Sequence, residues 1–189
     1  MDKNSLEKID KDALKKMGYE MVDFVIKLAG ESERSAVVLG AARIDYSLER
    51  LIKKVMHHNS GGDDNLFSPD RPLGSFSSKI ALACRLGLIS MDVEHALQMI
   101  RKIRNDFAHS IEGIRLKESP HRERISELKN DASKSILWAT LNPIMSKGVT
   151  NEYLRDFCSS IATLLTVIEV SEYVAERFSV GFPAVLENK

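Results

Sequence analysis

Apolar residues in this chain return every three or four positions over most of its length, and nowhere do they alternate with polar ones between hairpin turns. A spacing of three to four gathers side chains on one face of an α-helix, whereas a sheet needs a period of two, so the pattern confines the fold to packed helices. Leu14, Met17, Met21, Phe24, Val25 and Leu28 mark a first helix from about Asp10 to Ala29, with Gly30 as its stop. A second, from Ser32 to about His58, carries Val37, Leu39, Ala41, Ile44, Leu48, Leu51, Ile52 and Val55 on a face broad enough for a central helix. Between His57 and Leu73 the period gives way to turn formers, which predicts a long exposed loop. Ser75 to Leu86 restores it through Phe76, Ile80, Ala83 and Cys84, and Gly87 closes that helix as a left-handed cap. Ser90 then stands as an N-cap, Asp92 lies in the first turn, and Val93, Leu97, Ile100, Ile103 and Phe107 form an inward stripe.

Beyond this the pattern is patchier. Ser119-Pro120 reads as an N-cap with proline at the first helical position, but His121 to Lys134 is so charged that its helix is expected to be solvated. Ile136 to Leu141 is a short apolar run, helical by context, ended by Asn142-Pro143. Thr150 opens a long final helix in which Tyr153, Leu154, Phe157, Ile161, Leu164, Leu165, Ile168 and Val174 recur until about Phe178. The expectation is a single all-α domain over residues 1–189, a bundle of five or six helices, with loose tails at 1–9 and 181–189 and a loop at 57–73. A domain of that length buries roughly 70% of its unfolded surface.

Charge and cysteine content narrow the chemistry. The 27 basic and 27 acidic residues cancel, so no global field draws the chain to a polyanion and any such site must be local. Cys84 and Cys158 sit in separate apolar runs without metal-ligand spacing, which reads as buried thiols in a reducing cytoplasm. The first residues lack the apolar core of a secretion signal and no uninterrupted apolar run nears the roughly 20 residues that span a bilayer, so a soluble cytoplasmic protein without a membrane partner is expected. His57-His58 and Asp63-Asp64 are ligand types without fixed geometry, and no metal is expected there. Gly61-Gly62 lacks the strand, helix and lysine of a phosphate-binding loop, so no nucleotide cofactor is implied. His95 reads as a surface or interface residue, and His121 merely follows a proline.

One stretch stands apart: Ile103-Arg104-Asn105-Asp106-Phe107-Ala108-His109-Ser110. Arg104 stays charged and can clamp a phosphate or carboxylate through its planar fork, while His109 can exchange a proton near neutrality. Asn105 suits the positioning of a phosphate or ribose oxygen, and Asp106 could orient an imidazole. The competing reading is structural, because basic side chains in a last turn complement the helix C-terminus and His109 could hydrogen-bond its carbonyls. Five positions along a regular helix separate two side chains by roughly 140°. Arg104 and His109 therefore converge only if the helix unwinds near Ala108 or if a second chain contributes. Asp45 and Glu49 share one helical face, either as solvated charges or as core partners for Arg104.

Arg71-Pro72-Leu73-Gly74-Ser75-Phe76-Ser77-Ser78-Lys79-Ile80, Leu86-Gly87-Leu88-Ile89 and Met99 to His109 together resemble, in order and spacing, the mannitol operon repressor family. The resemblance runs from about Arg34 to Ser110, with Arg71 where that family has a glycine, and it fades between Ile111 and Val149. More broadly, Arg104-Asn105 with His109 resembles the Arg-x4-6-His motif of the HEPN helical superfamily. That resemblance implies a motif at a helix end and two copies meeting across a homodimer to make one composite site. It also implies metal-independent RNA cleavage, in a toxin or defence setting with a possible antitoxin. In such chemistry a 2′-hydroxyl attacks its own phosphate, His109 moves the proton and Arg104 stabilises the developing charge, with Asn105 assisting. The repressor resemblance implies instead a non-enzymatic regulator. Direct DNA reading is not expected of it, because the helix after Gly87 would offer Asp92, Glu94, His95 and Gln98 before any arginine, and acidic residues oppose phosphate contact. Such a regulator would work through a protein partner or through RNA.

Overall fold

The computed structural model describes residues 11–57, 61, 65–111, 113–146 and 149–178. Among these the chain forms seven α-helices, a 3-10 turn at Asn65–Phe67, and no strand. The helices are α1 (Lys11–Ala29), α2 (Glu33–Val55), α3 (Phe76–Arg85), α4 (Met91–His109), α5 (His121–Ala132), α6 (Ile136–Ser146) and α7 (Glu152–Val174). The all-α expectation is met, with seven helices in place of five or six. The expected tails at 1–9 and 181–189 lie outside the described residues, as do His58, Gly62, Asp63 and Asp64 of the loop.

Local chemistry sets the helix starts. The side-chain oxygens of Ser32, Ser75, Ser90 and Asn151 accept from the backbone N–H groups of Ser35, Ser78, Val93 and Leu154, satisfying donors that each first turn leaves open. Between α3 and α4 the chain turns at Gly87, whose φ of +70° is open to glycine at little cost.

Two helices organise the rest. α7 packs against α1, α2, α5 and α6, and α2 packs against α7, α4, α3 and α1. α2 is central as expected, but α7 is the more enclosed, burying an almost unbroken stretch from Phe157 to Leu165. Ile44, Leu48, Leu51 and Ile52 of α2 join Ile100, Ile103 and Phe107 of α4 and Phe157, Ile161, Leu165 and Ile168 of α7 in one core. Each such side chain contributes about 1.5 to 3 kcal/mol of transfer free energy. Gly40 permits the α1, α2 and α7 backbones to approach, since a Cβ there would meet Ile161 and Leu28 at 3.3 Å. The buried hydroxyls of Ser160 and Thr163 donate to the carbonyls of Asp156 and Ser159 on their own helix, so these two groups enter the core satisfied. α7 is long and apolar enough by length and composition to cross a membrane, with a mean hydropathy of 1.3 over its most apolar 18 residues, but most of that stretch is buried against the other helices. Its buried acidic groups Asp156 and Glu169 are paired with Lys129 and Arg43.

Several expectations need correction. Pro120 itself occupies the cap position of α5, without a side-chain cap, and α5 is not simply solvated. His121, Ile125, Leu128 and Ala132 form a narrow buried strip against α4 and α7, hidden in a mostly charged sequence. α6 does not stop at Asn142-Pro143 but continues to Ser146. Pro143 and Ala139, whose carbonyl loses its partner, are both exposed, so water can replace the missing bond. α7 ends at Val174 and not at Phe178, whose N–H donates instead to the Val55 carbonyl. Within the expected exposed loop, Phe67 is buried, and Lys53 Nζ sits 4.6 Å from its ring centre. Of the two cysteines, Cys158 is buried, which pushes its thiol up to about 12, whereas Cys84 is only half-buried.

Candidate functional site

The segment singled out by its residue types forms the last turns of α4. Ile100, Ile103 and Phe107 anchor its inner face, and the Ser110 N–H donates to the Asp106 carbonyl at 3.0 Å, so the helical bonding continues past His109. The helix does not unwind near Ala108. Arg104 and His109 are both exposed, and a regular helix keeps them roughly 140° apart, so one chain does not bring them together. Asn105 lies between them in projection, and its Oδ1 accepts from Arg104 Nη1 at 3.0 Å.

Among the described residues, Arg104 bonds Asn105 alone and no bond joins His109 to the helix-end carbonyls. The terminal carbonyl of Ser110 accepts from Arg34 at the start of α2. Glu33 accepts from the Leu116 N–H at 2.8 Å and from the Asn151 side chain at 2.6 Å, tying the following segment and α7 to the same corner. Among the described residues no carboxylate pairs with Arg101, Lys102, Arg104 or His109 on the outer face of α4, and Arg101 bonds only the amide oxygen of Gln98, at 2.8 Å. Asp106, the acid within this stretch, is drawn away from that face by Arg124 of α5.

Asp106 does meet an imidazole, but it is that of His121: its Oδ2 lies 3.3 Å from His121 Nε2. The His121 ring is buried edge-on to Phe107, with centroids 5.2 Å apart. Sequence reasoning passed over His121. The signal was its spacing to Ile125, Leu128 and Ala132, which places it on the buried strip of α5. The cluster joins α5 to the motif turn, with the His121 ring buried and the Asp106 carboxylate partly open to solvent.

Asp45 and Glu49 do share a face, but Lys79 of α3 is their partner and Arg104 is not. Lys79 Nζ lies 2.8 Å from each carboxylate. Burial would lower the Lys79 ammonium, but hydrogen bonds and charges from Asp45 and Glu49 outweigh it and hold the group above the usual lysine range. Burial likewise raises Glu49, but Lys53 and Lys79 together hold its carboxyl below the usual range. His95, expected at a surface, is exposed, and its Nδ1 lies 2.9 Å from Asp131. Among the described residues no group of three potential ligands gathers to hold a metal ion.

Comparison of the chain with protein-family models, with curated proteins and with solved structures finds no match.

Proposed function

We propose that this chain is a cytoplasmic RNA-directed protein of the HEPN type, a metal-independent endoribonuclease whose site forms when the α4 ends of two copies meet. The supporting observation is the outer face of α4: in a chain of no net charge, Arg101, Lys102 and Arg104 stand exposed or half-exposed beside His109 with no carboxylate partner among the described residues. Cations left uncompensated at a surface suit an external polyanion, and an imidazole among them supplies proton transfer. Arg104 would stabilise the phosphorane, Asn105 would steer the Arg104 fork to which it is bonded, and His109 would move the proton of the attacking 2′-hydroxyl or the leaving 5′-oxygen. A second copy supplies what the 140° divergence denies to one chain.

The test is incubation of labelled RNA with purified protein in chelator. The expected products carry 2′,3′-cyclic phosphate ends, and cleavage is lost in both Arg104→Ala and His109→Ala. Mixing the two inactive variants restores part of the activity, because hybrid dimers retain one arginine and one histidine at the shared site. Intact RNA under all conditions ends the nuclease reading.

The divergence of Arg104 and His109 favours a second reading, a non-enzymatic regulator of the mannitol operon repressor type that uses the same exposed face to hold a protein partner. RNA that is neither bound nor cleaved would leave this reading standing.

A further inference from the structure

We infer that the cleft between α1, α2 and α7 is a binding site for a small molecule carrying two anionic groups about 10 Å apart, either phosphates or carboxylates. The cleft encloses about 320 Å³, at the small end of ligand sites. It lies apart from the α4 face, being lined by Met17 and Glu20 of α1, Arg43, Arg50 and Lys54 of α2, and Glu169, Glu172 and Tyr173 of α7.

At first sight the lining is neutral, with three cations and three carboxylates, but the two signs differ in depth. The side chains of Arg43 and Arg50 are 34% and 47% exposed, whereas those of Glu169 and Glu172, to which they are bonded, are 10% and 15% exposed. The carboxylates sit beneath and orient the guanidinium groups. Glu169 accepts from Arg43 at 2.7 Å and from Ser47 at 3.1 Å. Glu172 accepts from Arg50 Nε at 3.0 Å and lies 2.8 Å from its Nη2. A guanidinium has five N–H donors, so each arginine keeps donors for the open side. Aromatic rings steady the same groups, that of Phe24 at 6.0 Å from Arg43 and that of Tyr46 at 5.8 Å from Arg50. Among the described residues Lys54 donates to the backbone carbonyls of Glu172 and Tyr173 alone, so its full charge meets partial charges there.

Spacing defines the ligand. Arg50 and Lys54 are one helical turn apart and can share one anionic group. Arg43 lies seven residues earlier, a rise of about 10 Å along α2, and receives the second. Met17 lines the cleft with apolar surface suited to a carbon chain, while exposed Glu20 disfavours a third anion and accepts from a hydroxyl or an ammonium.

The experiment is calorimetric titration of the full chain at constant ionic strength, with succinate, suberate, sebacate and hexane-1,6-diol bisphosphate as probes. Suberate, sebacate and the bisphosphate, which span the rise, are expected to bind at least about ten-fold more tightly than succinate, which does not. Whichever long probe binds best assigns carboxylate or phosphate ends. Arg43→Gln and Lys54→Gln are each expected to weaken the long probes about ten-fold and to remove the advantage over succinate. Among the described residues Lys54→Gln gives up bonds to carbonyls alone, so its fold is expected to be intact by circular dichroism. Equal affinity for succinate and sebacate, binding untouched by Lys54→Gln, or no binding by any probe overturns the inference.

Discussion

At the contact of α2 with α3, a lysine with 5% of its side chain exposed is met by two carboxylates, whereas on the outer face of α4 two arginines, a lysine and a histidine are met by none among the described residues. The chain has as many acids as bases, so the difference lies in placement and not in supply. A charge taken out of water needs a partner close by, because desolvation is otherwise uncompensated. A charge left in water needs none and stays available to whatever arrives. The first region therefore stabilises the fold, and the second leaves binding capacity open at little cost to stability.

Breaking the paired region should give the largest effect. Lys79→Met leaves Asp45 without its cation and Glu49 with Lys53 alone, and is expected to destabilise the fold by about 2 to 3 kcal/mol, short of the full buried-pair penalty because solvent reaches both carboxylates. Chemical denaturation of the variant beside the parent reads this directly.

Acid should erode the same contact more gently. Glu49 titrates below its unfolded value, so its contribution is present above the ordinary glutamate range, about pH 4.3, and is lost as the pH falls through the lowered folded value. Lys79 titrates above its unfolded value, so its share persists through neutrality and fades only as the pH rises through the raised folded value. Glu49→Gln is expected to flatten the acid limb of a stability profile below that pH, and an unchanged limb would remove Glu49 from the account.

The smallest stability effects belong to α4. Arg101→Ala, Lys102→Ala, Arg104→Ala and His109→Ala should each leave the unfolding free energy within about 0.5 kcal/mol of the parent. Each lost arginine or lysine should nonetheless reduce the salt slope of single-stranded RNA binding by about 0.7. A large loss of stability at Arg104 or His109 would erase the contrast between the regions.

The sequence exposes such contrasts unevenly. Ser32, Ser75 and Ser90 announce helix starts because capping is local chemistry, and Gly87 announces the turn before α4 because few other residues accept its φ. The exposure of Arg104 and His109 follows from their offset from the Ile103 and Phe107 stripe. Partnerships between distant segments were not legible. Lys79 could have answered Asp45 and Glu49 only to a reader who knew how α3 crosses α2, and Asp106 chose His121 over His109 because α5 folds back on α4. The strip that brings α5 there is four residues among many charges, below what periodicity alone resolves.

The position of α7 in the chain has a kinetic consequence. The helix that α1, α2, α5 and α6 all pack against is the last of the seven to be synthesised, so the earlier helices leave the ribosome with their shared surface uncovered. Folding is thereby tied to the completion of translation through Val174, and a nascent chain arrested before Asn151 would present that uncovered surface to chaperones.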